Sequence, residues 1–165
     1  MNNHPFLFEP GDWLGTGQVA FTVSPELLYF RTKWSCARPD DETYQCTQTV
    51  EIIGGDRMVN VFTIKPIDKD KFDIVLQNEI LGVFSGLGVV DERTVAWEFR
   101  TVGTFEGLEV YKRVHDEEYE MHAEYLSSDG ARTRISGKIW KATDKFQDNQ
   151  DENEDYAQED AEDSE

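Results

Sequence analysis

The sequence is poor in the residues that cross-link small domains or build metal sites. Its 165 residues include only two cysteines, three histidines and five prolines. Cys36 and Cys46 are too few for a disulfide scaffold, and no histidine neighbours them at the spacing of a zinc site. We therefore expect neither a disulfide-rich module nor a metal site, and no cofactor.

Positive charge and long apolar runs are also scarce. The chain contains 16 Lys and Arg residues and 34 Asp and Glu residues, which gives a formal net charge of −18. Such a chain is unsuited to nucleic acid or to an anionic membrane surface. No stretch approaches the roughly 20 apolar residues of a membrane span, and no signal peptide is recognisable. We expect a cytoplasmic protein without a membrane span.

Motifs that mark catalytic centres are missing as well. The sequence contains no G-x-S-x-G, H-E-x-x-H, C-x-x-C or phosphate-binding loop. Its many carboxylates lie in predicted turns, on the predicted outer face and at the C-terminal end. Because no residue is marked as a nucleophile or a base, we expect a protein that is not an enzyme.

The acidic residues are concentrated at the C-terminal end. Residues 144–165 hold eleven acids and one lysine, a net charge of −10. This segment has almost no apolar residues and no periodicity, so it cannot bury enough surface to offset its ordering entropy. The sequence predicts a folded domain at 1–143 and a disordered acidic tail at 144–165. The tail either solubilises the chain or docks on a basic protein partner.

Alternation with period two dominates the folded part and indicates strands. Short turns separate the strands, so neighbours are expected to be antiparallel. Closing the sheet removes its two exposed edges, which favours an all-β, antiparallel up-and-down barrel of eight to ten strands over a two-sheet sandwich. The ten candidate strands are 13–23, 27–36, 43–53, 57–66, 71–78, 80–89, 93–101, 107–115, 117–127 and 131–141.

Two hairpins can be assigned a register. A three-residue loop ending at a left-handed Gly130 places Tyr125 opposite Thr133 and pairs opposite charges on the outer surface. A turn at Asp116-Glu117 places Val114 opposite Tyr119. The second register gives the preceding strand an inner face made of Leu108, Val110, Lys112 and Val114.

The stretch "PGDWLGTGQVAFTV", residues 10–23, carries a family resemblance. Gly15 and Gly17 share a face with Trp13 and Phe21, where missing side chains let the strand bend and other groups approach. "GDW" resembles the G-x-W signature of the lipocalins. The longer W-x-G-x-G pattern is similar to the opening strand of nitrobindin-like bacterial barrels. The chain thus resembles the calycin superfamily, which also includes the fatty-acid-binding proteins.

The resemblance implies a barrel closed at one end, with a cavity for a small apolar ligand. Alternation predicts further inward residues, among them Phe72, Ile74, Val95 and Phe99, and Lys112 is a candidate contact for a ligand head group. We expect non-catalytic binding of a small hydrophobic or amphipathic ligand, such as a lipid or fatty acid. The candidate ligand-binding residues are Trp13, Phe21, Phe30, Trp34, Gln48, Phe62, Trp97, Lys112, Tyr119 and Tyr125.

Two alternative functions remain open. A nitrobindin-like protein would bind haem through an inward histidine. We expect His122 to point outward, His115 to lie at a turn and His4 to precede the first strand, so no axial ligand is apparent. The other alternative is a protein–protein adaptor that uses the acidic tail. Cys36 and Cys46 are expected to lie near each other on adjacent strands as free, buried thiols.

Overall fold

The structure is a computed structural model that describes residues 4–101 and 105–143. The predicted disordered tail at 144–165 lies outside the described residues. Every strand pairs antiparallel with both of its neighbours, and β1 closes the ring by lying between β2 and β10. The ten strands are β1 Gly11–Phe21, β2 Leu27–Asp40, β3 Thr43–Ile52, β4 Arg57–Asp68, β5 Lys71–Asn78, β6 Gly82–Val90, β7 Thr94–Thr101, β8 Phe105–His115, β9 Glu118–Ser127 and β10 Arg132–Lys141.

This architecture confirms the predicted fold class. All ten candidate strands are present, and the sheet is a closed, all-β, up-and-down barrel. Over residues 4–101 and 105–143 there is no helix that is long and apolar enough to cross a membrane. Each inward residue alternates with an outward one, so the barrel interior is the core of the protein.

The last hairpin has the predicted register. Tyr125 lies opposite Thr133, and Glu124 lies opposite Arg134. Gly130 has a φ of 89°, the left-handed conformation that the three-residue loop requires. Agreement between the hydrophobic pattern and the charge pairing was therefore a sufficient guide to this pair of strands.

The predicted inner face of β8 is wrong. The turn lies at Asp116 and Glu117, as expected, but the pairing shifts between Arg113 and His115, so Val114 is an extra residue in β8. Arg113, and not Val114, lies opposite Tyr119. A β-bulge of one residue moves every following side chain to the other face. Leu108, Val110, Lys112 and Val114 consequently lie outside, and Gly107, Glu109, Tyr111 and Arg113 lie inside.

Glycines let β1 and β10 cross closely where the barrel closes. Gly17 lies directly opposite Gly137. A Cβ atom at Gly17 would lie 2.4 Å from the Ser136 carbonyl oxygen and 2.5 Å from the Phe30 ring. A Cβ atom at Gly15 would lie 2.6 Å from the Lys138 carbonyl oxygen. The two glycines of the opening strand therefore create room for a neighbouring backbone and for an aromatic ring.

The segment before β1, residues His4–Phe8, closes one end of the barrel. His4, Phe6, Leu7 and Phe8 are all buried. Leu7 has a φ of 75°, and this left-handed turn allows three consecutive apolar side chains to enter the core. The ring of Phe6 lies 4.8–5.5 Å from the rings of Trp13, Trp34, Tyr111 and Tyr119. We call the residues His4–Phe8 the plug and this end of the barrel the plugged end.

Replacing Gly17 with alanine should destabilise the fold. The new methyl group would meet a carbonyl oxygen and the Phe30 ring at distances that no Cβ atom tolerates. We expect Gly17→Ala to lower the free energy of unfolding by about 1–3 kcal/mol in urea denaturation. Gln18→Ala, at an exposed position of the same strand, should change it by about 0.5 kcal/mol or less. Equal values for the two variants would contradict the close crossing of β1 and β10.

Removing the Phe6 ring should be more damaging. Phe6 is 0% exposed and contacts four other rings, so Phe6→Ala should lower the free energy of unfolding by about 3–5 kcal/mol. The control is Ile80→Ala, because Ile80 is 81% exposed and should contribute about 0.5 kcal/mol or less. A Phe6→Ala protein as stable as the control would show that the plug is not part of the core.

Candidate functional site

The two ends of the barrel interior differ in how well they are covered. At the plugged end the inward side chains of Trp13, Tyr119 and Ile139 are at most 1% exposed. At the opposite end Asn78 and Val19 are buried, but several other inward side chains are only partly buried. We call this the open end and its interior the recess, lined by Phe21, Leu28, Val50, Phe84, Tyr125 and Ile135.

The predicted ligand-binding residues divide between these two regions. Phe21 and Tyr125 line the recess, and Phe30 and Gln48 are 6% and 8% exposed. Lys112 is exposed on the outer face of β8, opposite Glu120, because of the bulge at Val114, so its predicted inward position is wrong. The remaining five candidates lie in the covered core: Trp13, Trp34, Phe62, Trp97 and Tyr119.

Those five aromatic residues pack on one another. Trp34 stacks on Phe62 with 5.2 Å between ring centroids, and Trp97 stacks on Tyr111 at the same distance. Trp13 meets Tyr119 edge to face at 5.6 Å. The plugged half of the barrel is thus filled by its own rings, and space for a ligand has to be sought at the open end. Their role in ligand binding stays a prediction.

Three indole N–H groups of this cluster are unpaired. Within the described part of the chain, the buried Nε1 atoms of Trp13, Trp34 and Trp97 have no hydrogen-bond partner. An unsatisfied buried donor costs about 1–3 kcal/mol. The cluster is therefore stabilised by ring packing and burial and not by side-chain hydrogen bonds of the indoles.

A buried carboxyl group lies on the wall of the barrel. Glu109 is 6% exposed and lies directly between Trp97 on β7 and Ala123 on β9. The Tyr111 hydroxyl donates a hydrogen bond to its Oε1 atom at 2.9 Å, and the Tyr125 hydroxyl donates to its Oε2 atom. Burial raises the pKa of Glu109, and the two hydrogen bonds oppose that rise.

The neighbouring glycine explains how Tyr125 reaches this carboxyl group. Gly107 lies opposite Tyr125 and two residues before Glu109 on the same face of β8. A Cβ atom at Gly107 would lie 2.4 Å from the Tyr125 ring. Since glycine has no side chain, the ring lies across β8 and its hydroxyl reaches Glu109.

Glu109 has no ionic partner among the described residues. None of the Lys, Arg or His side chains in that part of the chain lies within ion-pair distance of its carboxylate. Burial also raises the pKa of Tyr111 and of Tyr125 well above the ordinary value, so both phenols are neutral hydrogen-bond donors at neutral pH. The three groups form a small polar site in an otherwise apolar interior.

Sequence reasoning missed Glu109 because it assigned β8 the opposite face. Both faces of β8 carry apolar residues, so alternation alone does not decide between them. The signal that could have found it is Gly107-x-Glu109-x-Tyr111, which places a glycine, an acid and an aromatic residue on one face. Assigning this face to the interior requires knowledge of the bulge at Val114, which the sequence pattern does not reveal.

A row of polar side chains crosses the opposite wall. Gln48, Asn60 and Asn78 lie directly opposite one another on β3, β4 and β5. Asn78 Oδ1 accepts hydrogen bonds from the N–H groups of Ile80 and Leu81, which fixes the orientation of its amide. Asn78 then donates to Asn60 at 2.7 Å, Asn60 to Gln48 at 2.9 Å, and Gln48 to Thr32 at 3.2 Å. The Gln48 amide is therefore hydrogen-bonded on both sides by neighbouring side chains, and its role in ligand binding stays a prediction.

The three histidines lie away from the recess. His115 and His122 are exposed, on the strand end and outer face where they were predicted. His4 is buried in the plug, which the sequence did not predict. Its Nε2–H group donates to the Asp91 carbonyl oxygen at 2.6 Å, so its Nδ1 atom accepts from the Tyr119 hydroxyl at 2.7 Å. Burial lowers the pKa of His4 and favours this neutral form.

The two cysteines are neighbours, as predicted. Cys36 and Cys46 lie directly opposite each other on β2 and β3 and are free, buried thiols. A hydrogen bond to Cys36 and burial both raise the pKa of Cys46. Over residues 4–101 and 105–143, no cluster of three or more His, Cys, Asp or Glu side chains could hold a metal ion.

A separate groove of about 310 Å³ lies outside the barrel, on β1, β9 and β10. Its walls include the outward side chains of Gln18, His122, Glu124 and Arg134. Its lining also includes Ala123 and Ile135, which belong to the wall of the barrel, but its polar side chains all lie on the outer surface.

Comparison with known proteins supports the fold. No family model matches the sequence, and no curated protein matches it either. An S-type phycobiliprotein lyase from Guillardia theta is similar in structure, with a TM-score of 0.62 and 10% identity over 82% of this chain and 89% of that chain. A protein of the DUF3598 family from Nostoc punctiforme has a TM-score of 0.53 and 11% identity over 81% of this chain and about half (47%) of that chain. These likenesses support the closed β-barrel fold of this chain.

Glu109 should make stability depend on pH in a direction unusual for a carboxyl group. Its pKa is raised in the folded state, so the folded protein binds more protons than the unfolded chain between the ordinary pKa of 4.5 and the native one. The stability of the wild type relative to Glu109→Gln should therefore fall as pH rises through this interval, by at most about 1.4 kcal/mol per pH unit. Urea denaturation of both proteins from about pH 4 to 8 measures this difference, and a constant difference would contradict the burial of Glu109.

Proposed function

We propose that this protein binds a small apolar or amphipathic ligand in the recess at the open end of the barrel. The observation that carries the proposal is the division of the interior. One half is plugged and filled with aromatic rings, whereas in the other half several inward apolar side chains are only partly buried: Phe21, Leu28, Val50, Phe84 and Ile135. Apolar, concave sites with a few polar groups are typical of small-molecule binding.

The energetics of burial suit such a ligand. Removing apolar surface from water contributes roughly 25 cal/mol per Å², so a ligand that buries about 200 Å² gains about 5 kcal/mol before its ordering cost. The polar row at Gln48, Asn60 and Asn78 is already satisfied and competes little for ligand groups. Affinity would thus come mainly from the apolar part of the ligand, and a lipid-like chain fits this requirement.

The rim of the open end supports entry of an apolar molecule. The loops at that end expose Val23 (75%), Ile80 (81%) and Leu81 (51%). Charged residues occur in the turns at both ends, such as Asp41 and Glu42 at the plugged end and Asp56 and Glu79 at the open end. An apolar rim lowers the cost of bringing a hydrophobic ligand to the mouth of the recess.

We propose binding without catalysis. The recess offers one carboxyl group, Glu109, and two phenols that are engaged in hydrogen bonds with it. No His, Cys or Lys side chain lines the recess within the described part of the chain. The lyase from Guillardia theta shares the barrel at only 10% identity, and its activity is not carried over to this chain.

The alternative functions are less well supported by the site. An axial haem ligand would have to be His4, His115 or His122, but His4 uses both ring nitrogens inside the plug and the other two are exposed outside. An adaptor role would rest on residues 144–165, which lie outside the described residues. Free thiols at Cys36 and Cys46 are in keeping with the proposed cytoplasmic location.

Blocking the recess should abolish binding. Ala123 faces inward beside Glu109 and Ile135, whereas His122 faces outward on the same strand. We expect the neutral dye Nile red to bind the wild type with a fluorescence increase, Ala123→Phe to lose this signal, and His122→Phe to retain it. Circular dichroism should show that both variants are folded.

The control variants show whether Nile red binds inside the barrel or on its outer surface. A folded Ala123→Phe protein that binds Nile red as well as the wild type would place the dye elsewhere. Absence of binding by the wild type, together with native mass spectra that show no co-purified ligand, would count against the proposal as a whole.

A further inference from the structure

We propose that Glu109, held by Tyr111 and Tyr125, is the head-group site of the recess and selects amphipathic ligands with a cationic, N–H-bearing head such as an alkylamine. This inference rests on the proposed function and adds a ligand class to it. The sequence predicted that Lys112 points into the barrel, where it would select an anionic head group. A site at Glu109 selects the opposite charge.

The carboxylate has capacity left for a ligand. Each of its oxygen atoms accepts one hydrogen bond, from Tyr111 and from Tyr125, and each has a second lone pair. Glu109 is 6% exposed, and Tyr125 beside it is only partly buried. The proposal requires a donor group to pass the Tyr125 ring in order to reach this carboxylate, whose orientation the two hydrogen bonds fix.

The charge balance of the site favours a cation. Within the described residues the carboxylate has two neutral donors and no ionic partner. A buried charge without a counter-charge is costly, and a ligand ammonium group would supply one. Charge-assisted hydrogen bonds of this kind are about twice as strong as neutral ones.

The aromatic surroundings favour the same ligand. Trp97 lies directly opposite Glu109 on β7 and stacks on Tyr111, and the Tyr125 ring lies across β8. Faces of tryptophan and tyrosine rings attract cations. Trp97 and Tyr111 stack on each other and are 2% and 0% exposed, so the half-buried Tyr125 ring is the one that an ammonium group at Glu109 would contact.

Anionic head groups find no partner at this depth. Lys112 is outside the barrel, and Arg113 lies at the plugged end, 3.4 Å from the Tyr119 hydroxyl. The amides on the opposite wall are satisfied by one another. Among the described residues, a fatty-acid carboxylate beside an ionised Glu109 would meet a like charge and no cationic partner.

Binding of a cation should depend on pH through Glu109. The other titratable groups that face it are Tyr111 on its own strand and Tyr125 on β9, and both are neutral donors. Strand β7 presents the uncharged side chains of Trp97 and Phe99 to the interior. His4 hydrogen-bonds to Tyr119 at the plugged end. A cation binds best to the ionised carboxylate, so its affinity should rise with pH until Glu109 is fully ionised.

Three ligands with the same twelve-carbon chain test the selectivity. Dodecylamine, 1-dodecanol and dodecanoate are titrated at neutral pH against Nile red bound to the full-length wild type, below their aggregation concentrations. We expect dodecylamine to bind about tenfold or more tightly than dodecanoate, with dodecanol between them. Glu109→Gln should weaken the binding of dodecylamine about tenfold and reduce the differences in affinity among the three ligands. Glu106→Gln, at an exposed position of the same strand, should leave the dodecylamine affinity and the differences among the ligands unchanged.

The outcomes separate this inference from the proposed function. If all three compounds bind the wild type equally, the recess binds ligands but Glu109 does not select them, and the inference is wrong. If none of them binds and Nile red does not bind either, the proposed function itself fails. Tighter binding of dodecanoate than of dodecylamine would also overturn the inference.

A second measurement does not depend on the folding of any variant. Dodecylamine stays protonated from about pH 4 to 8, because an alkylamine has a pKa near that of lysine, about 10.4, so a change in its affinity over this range reports on the protein alone. Its affinity for the wild type should rise as pH increases above the ordinary glutamate pKa of 4.5, until Glu109 is fully ionised. A flat profile would overturn the assignment of the head-group site to Glu109.

Discussion

One extra residue in β8 decides which chemistry the barrel encloses. Val114 has no partner in β9, and this bulge turns Gly107, Glu109 and Tyr111 inward. Without it the interior would hold Leu108, Val110 and a lysine, and the Tyr111 ring would be lost from the core. The bulge thus exchanges a buried ammonium group for a buried carboxyl group. The stack of Tyr111 on Trp97 and the hydrogen bonds to Glu109 both depend on it.

The interior is asymmetric because the chain supplies a plug at one end only. Phe6 sits among four aromatic rings, and Leu7 accepts a left-handed backbone so that its neighbours can enter the core. This end is dry and filled, which fixes the barrel rigidly around it. The opposite end keeps apolar side chains partly exposed, and the polar site at Glu109 lies between these two regions. The barrel thereby combines a filled core at one end with partly exposed apolar side chains at the other.

Much of the fold could be predicted from the sequence, because strand alternation, short turns and edge closure are local signals. The ten strands, the β9–β10 register and the reason for Gly15 and Gly17 follow from such signals. The candidate site was harder to predict from the sequence. The face of β8 depends on a bulge at Val114, and the plug depends on contacts between Phe6 and strands far along the chain. Both are tertiary features that a pattern of apolar residues leaves undecided.

The central claim is that the Glu109 carboxyl group lies inside the barrel and accepts hydrogen bonds from the phenols of Tyr111 and Tyr125. A ¹³C NMR titration of the glutamate side chains, with the Glu109 signal assigned from the Glu109→Gln spectrum, tests it most directly. The account predicts a midpoint for Glu109 clearly above that of an ordinary glutamate, accompanied by changes in the ring signals of Tyr111 and Tyr125. An ordinary midpoint with unperturbed tyrosine signals would contradict it.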